Sequence, residues 1–166
     1  RDPARAADFG RRFSCRGYSS PEDFFADADV QVVAICTPSG AHLEPALQAI
    51  RAGRHLIVEK PLEVTLKRCD AIIDAAHKAG VRVSGVFQSR FYDGPRLLKE
   101  AVQAGRFGRM VLGDAYVKWF RSQQYYDQGG WKGTRLFDGG GALMNQSIHA
   151  VDLLQWYMGP VRAVQA

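Results

Sequence analysis

Apolar and polar positions follow two different periods along the first half of the chain. Apolar runs at 32–36 and 55–58 predict buried strands, because parallel strands covered on both faces carry apolar side chains at consecutive positions. Residues 81–87 predict a third strand. Between these runs, apolar side chains recur at helical spacing, in segments that end at Gly53 and Gly80. The order predicts an α/β fold with a doubly wound parallel sheet and right-handed crossovers.

Polar residues mark the points where helices begin. Asp2 before Pro3 and Ser20 before Pro21 are expected N-caps, because their side-chain oxygens can accept hydrogen bonds from the free N–H groups of a first turn. A later helix is predicted from Thr65. The inward faces predicted for the two crossover helices are Leu43, Ala46, Leu47 and Ile50 in one, and Cys69, Ile72, Ile73 and Ala76 in the other.

The pattern changes after Phe87. Apolar positions within 97–102 predict a helix, and residues 110–120 alternate as one long strand of a larger, partly exposed sheet. Residues 121–141 form a polar, aromatic and glycine-rich segment. A loop of this length in a compact domain usually serves function.

The chain closes with a helix and the start of a strand. The helix is predicted over 142–158, and the strand begins within 161–164. Because a crossover sheet is followed by elements of a different kind, we predict parts of two domains, at 1–88 and 89–166.

Composition and charge narrow the class of protein. Hydrophobic residues make up 46% and charged residues 23% of the chain, as in globular domains, and no apolar run approaches the roughly 20 residues of a membrane span. The net charge of +5 is spread out, without the basic and aromatic clusters of nucleic-acid-binding proteins. Cys15, Cys36 and Cys69 are far apart and lack zinc-ligand spacing, so we expect no metal site, reduced thiols, a cytoplasmic location, and Cys36 in the core.

Short turns that contain polar residues follow two neighbouring predicted strands. Thr37 and Pro38 come after the first strand, and Glu59, Lys60 and Pro61 come after the second. Ligands of open parallel sheets bind beyond the carboxyl ends of the strands. A lysine placed there suits chemistry, because burial and neighbouring charges change its pKa strongly. The alternative is a surface Glu–Lys pair without catalytic function.

The last predicted helix carries a polar stripe. Asn145, His149, Asp152 and Trp156 are spaced so that they share one helical face, directly after the glycines at 139–141. A single helical histidine is more often structural than catalytic. Glycines that let the backbone approach a ligand closely favour the catalytic interpretation here.

Three segments together resemble the Gfo/Idh/MocA family of nicotinamide-dependent sugar oxidoreductases. They are the strand-end turn 37–42, the Glu59-Lys60-Pro61 motif, and the segment 139–149 with Asp152. The resemblance implies that 1–88 is the C-terminal part of a Rossmann-like dinucleotide-binding domain whose first βαβ part is missing. It implies that 89–166 begins an α+β substrate and oligomerisation domain with a large mixed sheet. We therefore expect an internal part of a longer homo-oligomeric enzyme (dimer or tetramer), inactive by itself.

The resemblance also implies roles for individual residues. Neutral His149 would take the hydroxyl proton and Lys60 would stabilise the alkoxide, or the two would exchange these roles, and the bond from Lys60 to Pro61 would be cis. Asn145 would orient the sugar or the imidazole, because an amide does not relay protons. The expected catalytic residues are Lys60, His149 and Asn145; NAD or NADP would contact Thr37, Pro38, His42, Glu59, Lys60, Gln88 and Trp131; the substrate would contact Arg90, Tyr125, Asn145 and Gln146.

A finer resemblance concerns the substrate. The segments 125–127, 131–134 and 144–146 are similar to those of the subgroup that oxidises C3 of UDP-N-acetylhexosamines or their uronic acids. Two alternatives stay open at this point. One is a dehydrogenase of a free sugar or inositol, and the other is a regulator of the same fold that binds dinucleotide without turnover.

Overall fold

The chain folds into a small parallel sheet followed by helices and extended segments. A computed structural model describes residues 2–27 and 29–165 of the 166. The strands are β1 (Val32–Ile35), β2 (His55–Val58) and β3 (Val83–Gly85). The helices are α1 (Pro3–Phe13), α2 (Pro21–Ala26), α3 (Leu43–Arg51), α4 (Leu66–Ala79), α5 (Asp93–Gln103), α6 (Gln123–Asp127) and α7 (Ile148–Met158).

The three strands form a parallel sheet in the order β1–β2–β3, which confirms the predicted α/β fold. α3 connects β1 to β2 and α4 connects β2 to β3, and these two helices pack on each other. All buried apolar residues of the strands and of both helices form one core cluster. Its members are Val33, Ile35, Ala46, Ala49, Ile50, Leu56, Val58, Ile72 and Ala76.

The predicted helix starts are confirmed at three positions. The Asp2 carboxylate accepts from the backbone N–H groups of Ala4 and Arg5. Ser20 and Thr65 cap α2 and α4 in the same way. Each cap satisfies N–H groups that the first helical turn leaves without a backbone acceptor, which is why short polar residues specify helix starts so reliably.

The prediction that the strands are covered on both faces is wrong. Burial alternates along β1 and β2, because α3 and α4 cover the same face, and Val32 and Ile57 on the other face are exposed. Cys36, predicted in the core, is also exposed. Ile73 of α4 is 40% exposed, whereas Ile72 and Ala76 are buried in the core.

Beyond β3 the predicted strands do not form. Within the described residues, neither 110–120 nor 161–164 belongs to a sheet, because no described strand lies alongside to accept and donate the ladder hydrogen bonds. The strand predicted at 81–87 shortens to β3, which pairs with β2 over three residues. The segment 121–141 is mostly irregular but contains α6. None of the helices in the described part of the chain is long and apolar enough to cross a membrane.

Candidate functional site

Two strand-end turns form the base of the site. β1 and β2 are adjacent and parallel, so the turns after them meet at one edge of the sheet. The His42 ring links the two turns through its two nitrogens. Its Nε2 lies 3.0 Å from the Thr37 carbonyl oxygen and its Nδ1 lies 3.0 Å from that of Pro61, and the ring is fully buried. We therefore expect His42 to order the turns that face the cofactor rather than to touch the cofactor itself.

Lys60 reaches across the site to the second half of the chain. Its ammonium donates to the backbone oxygen of Asn145 at 2.8 Å and to the side-chain Oδ1 of the same residue at 2.9 Å. The carboxylate of Glu59 accepts from the backbone N–H of Lys60 at 3.2 Å. The Lys60–Pro61 peptide bond is cis, as the resemblance implied. Asn145, rather than Glu59, therefore fixes the ammonium.

Asp138 accepts a hydrogen bond from the Asn145 amide, and the sequence did not predict this role. Its side chain is nearly buried, accepts from the Asn145 amide and from the Gly133 backbone N–H at 2.8 Å, and the residue is only 2% exposed. The signal in the sequence was its position directly before the glycines at 139–141. Asp138, Asn145 and Lys60 thus form one continuous hydrogen-bonded chain.

The loop that carries Asp138 is held against the turn after β1. The backbone N–H of Gly40 donates to the Phe137 carbonyl at 3.0 Å. A Cβ atom at Gly40 would lie 2.0 Å from the Leu136 carbonyl oxygen, so only glycine allows this approach. This contact places the glycine-rich segment over the strand ends.

The predicted helix 142–158 is divided into two parts. Ala142–Gln146 form a π turn in which the Ser147 N–H donates to the Ala142 carbonyl, and α7 begins at Ile148. The change in period comes where Asn145 turns its amide to Lys60 and Asp138. π turns often occur at functional sites.

His149 lies in the first turn of α7, close to Lys60. Burial and the positive charge of Lys60 lower the pKa of His149, and the carboxylates of Asp152 and Glu59 oppose this to a smaller extent. Its Nδ1 atom is buried and has no hydrogen-bond partner among the described residues. A half-buried imidazole that stays neutral near pH 7 can accept a proton from a bound hydroxyl group.

The other predicted contact residues surround this centre on two sides. Gln146 donates to the Tyr125 hydroxyl at 3.4 Å, and both lie on the side of the loop 121–141. Trp131 is half-buried in the same loop, and Gln88 is exposed in the turn after β3. Arg90, predicted to bind substrate, instead donates two hydrogen bonds to Asp152.

The residues of the centre fit the nicotinamide end of a dinucleotide. The ammonium of Lys60 and the half-buried ring of His149 leave polar positions for a substrate hydroxyl beside the strand ends. A separate groove of about 540 Å³ runs along β1 and includes Thr37, but neither Lys60 nor His149 lines it. In the part of the chain that the structure describes, no group of three His, Cys, Asp or Glu side chains is arranged to hold a metal ion.

The pairing of Asp138 with Asn145 can be tested by exchanging the carboxylate and the amide between the two positions. Asn145→Asp would set two carboxylates against each other, and we expect it to cost about 1–3 kcal/mol of unfolding free energy. Adding Asp138→Asn restores one amide and one carboxylate and should recover most of that loss. Thermal unfolding of both single variants and the double variant checks this. Losses that simply add in the double variant would contradict the pairing.

Two family models match the chain. One is described as an oxidoreductase family with an NAD-binding Rossmann fold and matches residues 1–87. The other, the Gfo/Idh/MocA C-terminal domain, matches residues 96–166.

Solved structures and curated relatives agree with these matches. The WlbA dehydrogenase of Chromobacterium violaceum, solved in complex with NADH and UDP-GlcNAcA, is 40% identical, with a TM-score of 0.86 over 96% of this chain and 46% of its own. WlbA from Bordetella pertussis, solved with the same two molecules, is 36% identical with a TM-score of 0.87 over the same shares. The 1,5-anhydro-D-fructose reductase of Ensifer adhaerens is 30% identical over 90% of this chain and 44% of its own length. The chain thus spans less than half the length of the relatives it matches.

Proposed function

Because this chain belongs to the Gfo/Idh/MocA family of oxidoreductases, we propose that its full-length gene product oxidises a sugar carbinol with NAD or NADP. The proposed substrate is a UDP-N-acetylhexosamine or its uronic acid, oxidised at C3. The observation that carries the proposal is the hydrogen bonding of Lys60 to Asn145 beside the half-buried imidazole of His149.

His149 is proposed as the base. A bound nicotinamide cofactor supplies the hydride acceptor for the carbinol carbon. Neutral His149 takes the hydroxyl proton, which suits an imidazole whose pKa is lowered by burial and by Lys60. Proton removal leaves negative charge on the carbinol oxygen, and that charge needs a donor.

Lys60 is proposed as that donor. An ammonium group has three N–H donors, and two of them are directed to the oxygens of Asn145. Within the described residues the third meets no acceptor, so it can donate to the alkoxide that forms as the proton leaves. Because the two bonds to Asn145 hold the ammonium before the substrate binds, little reorganisation is needed during the reaction. This division of labour favours His149 over Lys60 as the base.

Two relatives support the UDP-sugar substrate, since both WlbA structures contain UDP-GlcNAcA. The alternative of a free sugar also has support, because the reductase of Ensifer adhaerens is named for 1,5-anhydro-D-fructose. Tyr125 and Gln146 lie on the loop side of the site, where they are proposed to contact the sugar.

A substrate comparison tests the proposal. We expect the full-length gene product to form NADH, followed by absorbance, from UDP-N-acetylglucosamine or its uronic acid, and not from glucose or inositol. Turnover of the free sugars alone would replace the UDP-sugar with the free-sugar alternative. Binding of NAD by calorimetry, without turnover of any of these compounds, would instead support a regulator.

A further inference from the structure

A partly buried ion pair joins the turn after β3 to α7, one helical turn beyond His149. The Arg90 guanidinium donates from Nε to Asp152 Oδ2 at 2.8 Å and from a terminal nitrogen to Oδ1 at 2.6 Å. The Asp152 side chain is 8% exposed and that of Arg90 is 34% exposed. A two-bond guanidinium–carboxylate pair fixes both distance and orientation, which a single hydrogen bond does not.

Two aromatic rings lie against this pair, and a second cation contacts one of them. The guanidinium carbon of Arg90 lies 5.3 Å from the centre of the Trp156 ring and 6.0 Å from that of Phe87. Lys99 of α5 donates to the Trp156 backbone carbonyl and lies 5.4 Å from the same ring. Segments from both halves of the chain thus converge on one side of α7, the side that carries His149 and Asp152.

We propose that Arg90 and Asp152 form a positioning pair that fixes α7 beside the strand ends, and that Arg90 offsets the negative charge which Asp152 places near His149. This inference rests on the proposed function and adds two residues that act through His149 without contacting the reacting atoms. It assigns Arg90 to Asp152 rather than to the substrate.

Charged side chains around His149 determine how readily its imidazole is protonated. The groups that act on it are Lys60, which favours the neutral imidazole, and Glu59 and Asp152, which favour the protonated one. Arg90 neutralises Asp152 at short range. Without Arg90, a carboxylate that is almost buried would lack its partner and would stabilise the imidazolium, which has no lone pair to accept a proton.

The two members of the pair should therefore move the pKa of His149 in opposite directions. Asp152→Asn removes the carboxylate and should lower the pKa of His149. Arg90→Met leaves the carboxylate unpaired and should raise the pKa of His149 by roughly half a pH unit or more. Arg90→Lys retains the charge but loses the two-bond geometry, so it should give a smaller upward shift. A simple loosening that exposes His149 would instead raise the pKa toward about 6.5 in every variant.

Histidine proton NMR of the full-length gene product measures these shifts directly, with the His149 signal assigned from its loss in His149→Gln. Arg68→Met is a matched control, because Arg68 pairs with Glu63 at similar exposure, 31% and 0%, on a different element. Opposite shifts in Arg90→Met and Asp152→Asn, and none in Arg68→Met, are expected. Shifts of one sign in both, or an equal shift in the control, would overturn the pairing.

The kinetic counterpart separates this inference from the proposed function. The acid limb of kcat/KM should move to higher pH in Arg90→Met and to lower pH in Asp152→Asn, because His149 must be neutral to act. Absence of turnover with every sugar tried would refute the proposed function alone, since the NMR titration still decides whether Arg90 and Asp152 control His149. If Arg90→Met does not fold, Arg90→Lys and the isosteric Asp152→Asn give the same test of opposite signs.

Discussion

Replacing His149 with alanine in the full-length gene product should lower kcat by about 10²–10⁴-fold, with a much smaller change in the KM for substrate. Proton transfer to the imidazole takes place in the transition state and contributes little to substrate binding. The low solvent access of this ring and the charge of Lys60 hold its pKa below the ordinary value, so the base is ready at neutral pH. The acid limb of the wild-type profile should therefore lie below about pH 6.5.

His77→Ala is the matched control for this experiment. His77 lies exposed in the last turn of α4, outside the site, so its loss should leave kcat close to that of the wild type. Steady-state rates of NADH formation across pH 5–9 would give both kcat and its pH dependence. A His149→Ala enzyme that retains near-normal kcat, with the acid limb unmoved, would assign proton removal to another group.

Local rules made the nucleotide-binding half of the chain predictable. The caps Asp2, Ser20 and Thr65 satisfy backbone groups within a few residues, and the sequence contains everything that such a contact needs. The apolar runs of β1 and β2 identified strands for a similar reason. The positions of Cys36 and Ile73 were wrong because their burial depends on which faces of the sheet and of α4 receive other elements. The periodicity of apolar residues identifies one face of a helix or strand, but it does not show which other element covers that face.

The site was predictable to the extent that a motif marks it. Lys60, Asn145 and His149 were identified, and the structure brings Lys60 to Asn145 with His149 close enough for the lysine charge to act on it. Asp138 and the pairing of Arg90 with Asp152 were not, because their partners lie far away in the sequence. The π turn at 142–146 was also missed, since the residues of this turn fit a regular helix equally well by periodicity. Contacts between distant segments decide which of several compatible roles a polar side chain takes.

Replacing Lys60 with methionine should affect two measurements together, kcat and the affinity for the cofactor. Loss of the donor to the developing alkoxide should lower kcat by about 10²–10³-fold, the usual effect of removing one such group. Lys60 is also among the residues expected to contact the cofactor, and its third N–H can donate there before it is needed by the alkoxide, so the dissociation constant for NAD should rise about tenfold or more, as expected for one hydrogen bond to a charged group. Methionine keeps the unbranched stem, which limits changes in packing.

Lys67→Met separates these effects from a general loss of positive charge, because Lys67 lies exposed on α4 away from Asn145 and His149. Calorimetry with NAD and steady-state kinetics should distinguish the two lysine variants clearly. If Lys60→Met weakens NAD binding but leaves kcat unchanged at saturating cofactor, Lys60 is a cofactor ligand only. The alkoxide would then need another donor. A fall in kcat with unchanged NAD affinity would instead confine Lys60 to the chemical step, because a group that contacts both molecules must change both constants.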